Sequence, residues 1–258
     1  MRVLALDFDG VLCDSAREAF VVALRTYRRV LSRELAGDER DEALFRAFVE
    51  LIPLGNRAED YAIALAAIER GRALADQAAY DAFRGELDPA ALRAFHKQFY
   101  RERAAWLEAD PEDWHAHMRA YPGVCELLRR RAGDAALAIA TAKDRRSVRE
   151  LLARYGIADL FPEQAVLDKE TAVSKREHIS QIAGRTGAPA SEITFVDDKV
   201  NHLEDVAPSG ARCVLATWGY NGPREQKIAK DKGFLICDLN NFEARVFSHR
   251  PASPANEE

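Results

Sequence analysis

Four short apolar runs punctuate the chain: Val3 to Leu6, Ala136 to Ala140, Ile193 to Val196 and Arg212 to Ala216. Each has the length of a strand and lacks the strict alternation of a sheet with one wet face. Each is followed by a polar or glycine-containing turn and then by positions spaced as on an amphipathic helix. Near-continuous apolar strands separated by such helices imply a parallel sheet covered by helices on both faces, an α/β fold. Gln164 to Leu167 and Phe234 to Cys237 are weaker candidates for further strands.

The pattern changes between Ala16 and Met118, where no run reads convincingly as a strand. Helices are predicted instead over Ala16 to Leu35, Arg40 to Leu51, Arg57 to Arg70 and Pro89 to Leu107. Asn56-Arg57-Ala58-Glu59 has the spacing of a capping box, and Pro53 and Gly55 break the pattern ahead of it. Pro122-Gly123 marks the return to the α/β pattern, before a helix over Val124 to Arg131. The chain therefore reads as a core of residues 1–15 and 119–250 interrupted after its first strand by an all-helical insertion over 16–118. Residues 251–258 read as a disordered tail.

Composition narrows the class. In 258 residues, 48% are hydrophobic and 31% charged, which suits a globular chain able to bury a core without disulfides. The net charge of -5, with no basic block, gives no electrostatic support for binding nucleic acid or an acidic membrane. No apolar stretch is long enough to span a bilayer. The opening residues become acidic too early for a secretory signal. Cys13, Cys125, Cys213 and Cys237 are widely spaced, which argues against a zinc site or a disulfide framework and fits a reducing cytoplasm. Oligomeric state is not legible.

The chemistry sits where the strands end. Asp7 and Asp9, two apart on an extended segment, point to one side at the carboxyl end of the first strand, where parallel sheets open onto a ligand crevice. Gly10 allows a sharp turn there. The second strand ends in Thr141-Ala142-Lys143, whose hydroxyl could bond a phosphoryl oxygen; Lys143 reads either as a substrate contact or as a solvated lysine. Ser174-Lys175-Arg176-Glu177 is a second capping box, and Lys175 in its first turn opposes the helix dipole. A further strand ends in Asp197-Asp198, adjacent acids that are costly to bury without compensation. Mg²⁺, a hard cation satisfied by a few carboxylates, water and phosphate, would offset that cost. Two like charges ~4 Å apart repel by about 4 kcal/mol at an effective dielectric near 20, so a phosphate could not join such a cluster bare.

Asp7-Phe8-Asp9-Gly10-Val11-Leu12 is similar to the first motif of the haloacid dehalogenase-like superfamily, and the resemblance extends over nearly all of the α/β part. It implies a Rossmann-like core with a mobile helical cap inserted after the first motif. It also implies a covalent mechanism with Asp7 as nucleophile and Asp9 as general acid and then base. Thr141 takes the second-motif role. The third-motif lysine is Lys175 or Lys169, with Lys175 better placed before its helix and strand. Asp197 and Asp198 resemble the paired-acid form of the fourth motif. Mg²⁺ held by Asp7, Asp9, Asp197 and Asp198 follows, with Asp198 favoured over Asp197 as the direct ligand. Asp197 stands where Gly is commoner, and His202 lies near the place of a later Asp.

The activity so implied is hydrolysis of a small phosphorylated metabolite. A phosphomutase would use the same two acids, and a silent member binding a partner through its cap is the alternative outside catalysis. Dehalogenation would dispense with the second Asp, and phosphonate cleavage would require a Schiff-base lysine in the cap, where only Lys97 occurs. His115 and His117 lack further ligands and read as solvated. Arg57 reads as a surface residue at a helix start rather than a substrate contact, and Cys13 as a packed thiol.

Overall fold

The structure, a computed structural model, describes residues 2–31, 35–55, 57–172 and 174–247. It resolves into two compact units, one of residues 1–12, 121–218 and 226–258 and the other of residues 13–120 and 219–225. The tail expected over 251–258 lies outside the described residues.

In the first unit, β1 (Val3–Leu6) opens the sheet. The second unit follows with β2 (Cys13–Asp14), α1 (Ala16–Leu31), α2 (Glu42–Leu51), α3 (Ala58–Glu69), α4 (Gln77–Gly85), α5 (Pro89–Ala109), α6 (Pro111–Ala116) and β3 (Arg119–Ala120). The chain then returns to the first unit through α7 (Val124–Arg130), β4 (Ala136–Ala140), α8 (Arg145–Arg154), β5 (Val166–Leu167), α9 (Lys175–Thr186), β6 (Ile193–Asp197), α10 (Val200–Val206) and β7 (Arg212–Ala216). α11 (Pro223–Asp231), which starts in the second unit and runs into the first, β8 (Leu235–Cys237) and α12 (Phe242–Phe247) complete it.

The sheet has six strands in the order β5-β4-β1-β6-β7-β8, every neighbouring pair parallel. The expected parallel sheet is present, and both weaker strand candidates belong to it. Period-2 alternation sorts its side chains. Val3 and Ala5, Ala138 and Ala140, Ile193 and Phe195, and Cys213 and Leu215 join one apolar cluster with Ile179 and Ile182 of α9 and Leu203 and Val206 of α10. The intervening Leu4, Leu6, Ile139, Val196 and Val214 are buried as well. Both faces are therefore covered, which is why these strands read as unbroken apolar runs.

Among the described residues, the regular structure of the second unit is helical apart from the two-residue ladder of β2 and β3. A chain of aromatic rings runs through its core: Phe20 on Phe45 and Phe48, Phe48 on Tyr61, and Tyr61 on Phe99, with centroids 5.4–5.5 Å apart. Such pairs add roughly 0.5–1.5 kcal/mol each beyond area burial. Four aspartates start its helices: Asp41, Asp76, Asp88 and Asp110 accept backbone N–H bonds from the first turns of α2, α4, α5 and α6. Residues 219–225 also belong here. Tyr220 Oη accepts the Ser15 N–H at 2.6 Å, and Arg224 donates to the Ala75 carbonyl at 2.9 Å.

Several local expectations are corrected. α1 is observed only to Leu31; residues 32–34 are not described, and Leu35 lies outside the helix. The proposed box beginning at Asn56 falls on a residue outside the described set. The observed one starts a residue later, with Asp60 Oδ2 accepting the Arg57 N–H at 2.8 Å. α4 went unrecognised, although Asp76 caps it and Tyr80 and Phe83 supply its buried face. His115 is not solvated: it is buried beside Trp114, whose ring centroid is 5.1 Å away.

The polar keystone of the helical unit is Glu18, which is wholly buried. Its carboxylate accepts a bidentate bond from Arg103 at 2.6 and 2.8 Å and a bond from Trp114 Nε1 at 3.1 Å. Removing one partner of a buried pair leaves the other charge uncompensated. Glu18→Ala is expected to cost about 3–5 kcal/mol, read as a lower urea midpoint. A loss below about 1 kcal/mol would show that the pair behaves like a surface ion pair.

Candidate active site

Three neighbouring parallel strands deliver three of the expected site residues to one end of the sheet. Asp7 follows β1, its N–H donating to the Val196 carbonyl at 2.9 Å. Thr141 follows β4, bonded through its N–H to the Leu167 carbonyl at 2.9 Å, and Asp197 closes β6. The ladder thus continues one residue past the strand on each side and holds Asp7 and Thr141 by the backbone before any side-chain contact forms.

Lys175, first residue of α9, reaches back among them. Its Nζ donates to Asp7 Oδ1 at 2.8 Å, to Asp197 Oδ2 at 3.3 Å and to the Ala140 carbonyl at 2.6 Å, which uses the three N–H bonds of an ammonium. Ser174 and Glu177 form the capping box that starts this helix, as the spacing predicts. Lys169, the other candidate, lies 3.8 Å from Glu170 and is part-exposed.

Asp197 is fully buried and heavily bonded. Besides Lys175, it accepts the Lys199 N–H at 2.9 Å and bonds from His202 Nδ1 at 3.0 and 3.1 Å. Asp198, also buried, lies against the turn at Gly10. A Cβ there would come within 2.3 Å of the Asp198 carboxylate, and the Gly10 φ of +84° is itself left-handed. Glycine is needed at residue 10 for both reasons.

Burial pushes the Asp7 carboxyl above the usual carboxylate range. The Lys175 ammonium opposes that shift, while the neighbouring Asp197 charge adds to it. Burial acts on Asp197 too, but the charges of His202 and Lys175 and the bonds from His202 and Lys199 hold it well below the usual range. Burial would likewise discharge Lys175, yet Asp7 and Asp197 keep it protonated.

The site is short of positive charge. Asp7, Asp197 and Asp198 are buried with Lys175, while Lys143 is engaged by Asp9. Asp7, Asp197 and His202 each offer an atom within 4.8 Å of the others, a group able to hold a cation. A divalent cation would reverse the upward pressure on Asp7. Hard carboxylate oxygens fit Mg²⁺, while His202 is already hydrogen-bonded to Asp197 and suits an outer, orienting role.

Two residues carry more than their sequence setting suggested. Lys143 is not solvated: its side chain is 2% exposed and its Nζ lies 3.1 Å from Asp9 Oδ1. Asp168, unremarked in the sequence, is buried and binds Arg145 at 3.1 Å and both the N–H and hydroxyl of Thr171. It pins the loop that leads to Lys175. Its signal was available, since an acid directly after an apolar run is what marked Asp7 and Asp197.

A parallel sheet with acids at the ends of its central strands and a buried lysine between them defines an α/β enzyme of the phosphoryl-transfer or related hydrolytic type. The sequence model of the haloacid dehalogenase-like hydrolases matches residues 1–204, and the chain belongs to that family. It is 30% identical to the phosphoglycolate phosphatase of Synechococcus elongatus over 121 residues, 46% of this chain and 55% of that protein. The chain thus spans little more than half the length of that relative. Against the phosphoglycolate phosphatase of Pseudomonas syringae pv. syringae it is 26% identical over 242 residues, 92% of this chain and 76% of the other. Among solved structures, one described as a predicted phosphoglycolate phosphatase from Haemophilus somnus 129PT superimposes with a TM-score of 0.62. Its identity is 22%, over 93% of this chain and 96% of that one, a likeness of fold.

One neighbour of the site gives a pH signature. His178, a turn beyond Lys175, is buried and donates from Nε2 to the Asp168 carbonyl at 3.0 Å. Burial, with the nearby Lys175 charge, pushes it down from 6.5 to about 4. Between those values the unfolded chain binds a proton that the folded chain refuses. His178 therefore contributes stability that is fully present above pH 6.5 and is lost as pH falls towards 4, by up to about 3 kcal/mol. In urea titrations, the advantage of wild type over His178→Gln is expected to shrink across that window. A gap that stays constant from pH 7 to 4 would refute it.

Proposed function

We propose that this chain is a phosphatase that passes the phosphoryl group of a small phosphomonoester first to Asp7 and then to water, with Mg²⁺ as cofactor. The observation that carries the reading is the grip of Lys175 on Asp7 at 2.8 Å, at the end of β1 and beside the buried acids of β6. A carboxylate so held has one oxygen fixed and is aimed by its backbone. The names of the curated relatives make phosphoglycolate the first substrate to test.

An Asp7 oxygen attacks phosphorus, and the bond to the ester oxygen breaks. Asp9 gives its proton to the departing alkoxide. Thr141 offers its hydroxyl to a phosphoryl oxygen, while Lys175 balances the charge gathering beside Asp7. Asp9, now ionised, takes a proton from water as the water attacks phosphorus. The bond to Asp7 breaks, phosphate leaves, and both acids are restored. Asp7 and Asp198 would hold Mg²⁺, with Asp197 committed to Lys175, His202 and the Lys199 N–H. Bound there, the cation supplies positive charge that lets a phosphate dianion approach and polarises its oxygens.

The test is phosphate release from phosphoglycolate and from an aryl phosphate, with Mg²⁺ and in excess chelator, alongside intact mass of acid-quenched samples. Wild type should release one phosphate per substrate consumed, only with Mg²⁺. Asp7→Asn should show no phosphoryl adduct. Full activity in chelator, or an equal adduct on Asp7→Asn, would defeat the proposal.

A further inference from the structure

The geometry points to Lys143 as a positioning residue that holds Asp9 in its working orientation, an inference resting on the phosphatase reading above. Lysine is among the residues least often buried, because its ammonium loses hydration that only a close partner replaces. Here the side chain is 2% exposed, and its Nζ faces both oxygens of Asp9, at 3.1 and 3.4 Å. Asp9 itself is 32% exposed on the turn made by Gly10. A half-exposed carboxylate on a turn ordinarily samples several rotamers. Contact with the carboxyl group restricts its torsion, so that the nearer oxygen can keep the Lys143 bond while the other carries the proton.

The lysine's own root is held from two sides. Its N–H donates to Thr141 Oγ1 at 3.1 Å, and its carbonyl accepts the Lys169 N–H at 3.4 Å. The next residue, Asp144, caps α8 by accepting the Ser147 N–H at 2.9 Å. One short turn thus carries the hydroxyl meant for the phosphoryl group and the cation that aims the acid. Because β4 lies beside β1 in the sheet, the turn and Asp9 keep a fixed separation. Displacing a catalytic group by about 1 Å can cost around 10²-fold in rate.

A residue that acts through Asp9 should fail where Asp9 is needed and nowhere else. The experiment compares wild type, Lys143→Met, Lys143→Gln, Asp9→Asn and the double variant Asp9→Asn/Lys143→Met, each checked for folding by circular dichroism. Substrates are an alkyl phosphate, whose leaving group needs a proton, and an aryl phosphate, whose leaving group hardly does. Lys143→Met should lower kcat on the alkyl ester by roughly 10–10²-fold, within the range of general acid–base help, with KM little changed. Rapid-quench formation of the phosphoryl adduct from the aryl ester should be nearly untouched. The double variant should be about as slow as Asp9→Asn alone, since residues that work as one unit do not add. If Lys143→Met does not fold, Lys143→Gln decides the matter by the same comparisons.

A raised KM with unchanged kcat would instead make Lys143 a substrate contact, and losses that multiply in the double variant would make it independent of Asp9. Equal losses in the rate of adduct formation from both esters would leave it a structural staple. Any of these overturns the inference while an adduct on wild type leaves the phosphatase reading standing. No adduct and no phosphate release from wild type would overturn both.

Discussion

Acids buried at the ends of neighbouring parallel strands cannot be held there by the backbone alone. The sheet brings Asp7 and Asp197 together because β1 and β6 are paired in register, and their charges then face each other in a region stripped of water. Lys175 resolves this by donating to both and to the carbonyl that ends β4. The ammonium is as dependent on the acids as they are on it: burial alone would discharge it. Much of the surrounding structure serves to put that one nitrogen in place. The Asp168–Thr171–Arg145 knot shapes the preceding loop, the Ser174–Glu177 box starts the helix, and His178 ties the next turn to Asp168.

The same arrangement explains why the site is chemically unfinished as protein alone. Lys175 suffices to hold Asp197 ionised with the help of His202, but not to bring Asp7 down to its usual range. A carboxyl that is awkward to ionise is stabilised by added positive charge, so under the proposed mechanism a bound cation would favour the ionised form of Asp7. The scaffold holds the acids near one another at a cost that Lys175 only partly offsets. Strain of this kind is what distinguishes a site from a packed core.

The helical unit solves a different problem with different means. Its rings stack from α1 to α2, α3 and α5, and its wholly buried acid Glu18 is satisfied within the unit by Arg103 and Trp114. The later segment 219–225 is recruited to it through Tyr220 and Arg224. Among the described residues, no helix of either unit is long and apolar enough to cross a membrane. Cys13, Cys125, Cys213 and Cys237 all carry free thiols, and burial pushes Cys125 and Cys213 up to about 11 and Cys237 to about 12.

Sequence alone determined the parallel sheet, the helical interruption and the strand-end acids, because each is written in local features. Apolar run length, helical spacing and an acid directly after a strand are properties of a few consecutive residues. The Ser174 box was legible for the same reason. What lay beyond reach were pairings between residues far apart in the chain. Lys143 reads equally as a substrate contact or a solvated lysine until the turn after β4 is folded beside Asp9, 134 residues away. In sequence His202 only stands near the place of a later Asp, and its bond to Asp197 appears on folding, as do those of Asp168 to Thr171 and Arg145. α4 carries little signal in sequence because a short helix with few apolar positions is settled by the core it packs into. Propensity and pattern are summed over neighbours in sequence, whereas charge compensation in a buried site is summed over neighbours in space. Only the tertiary structure decides who those are.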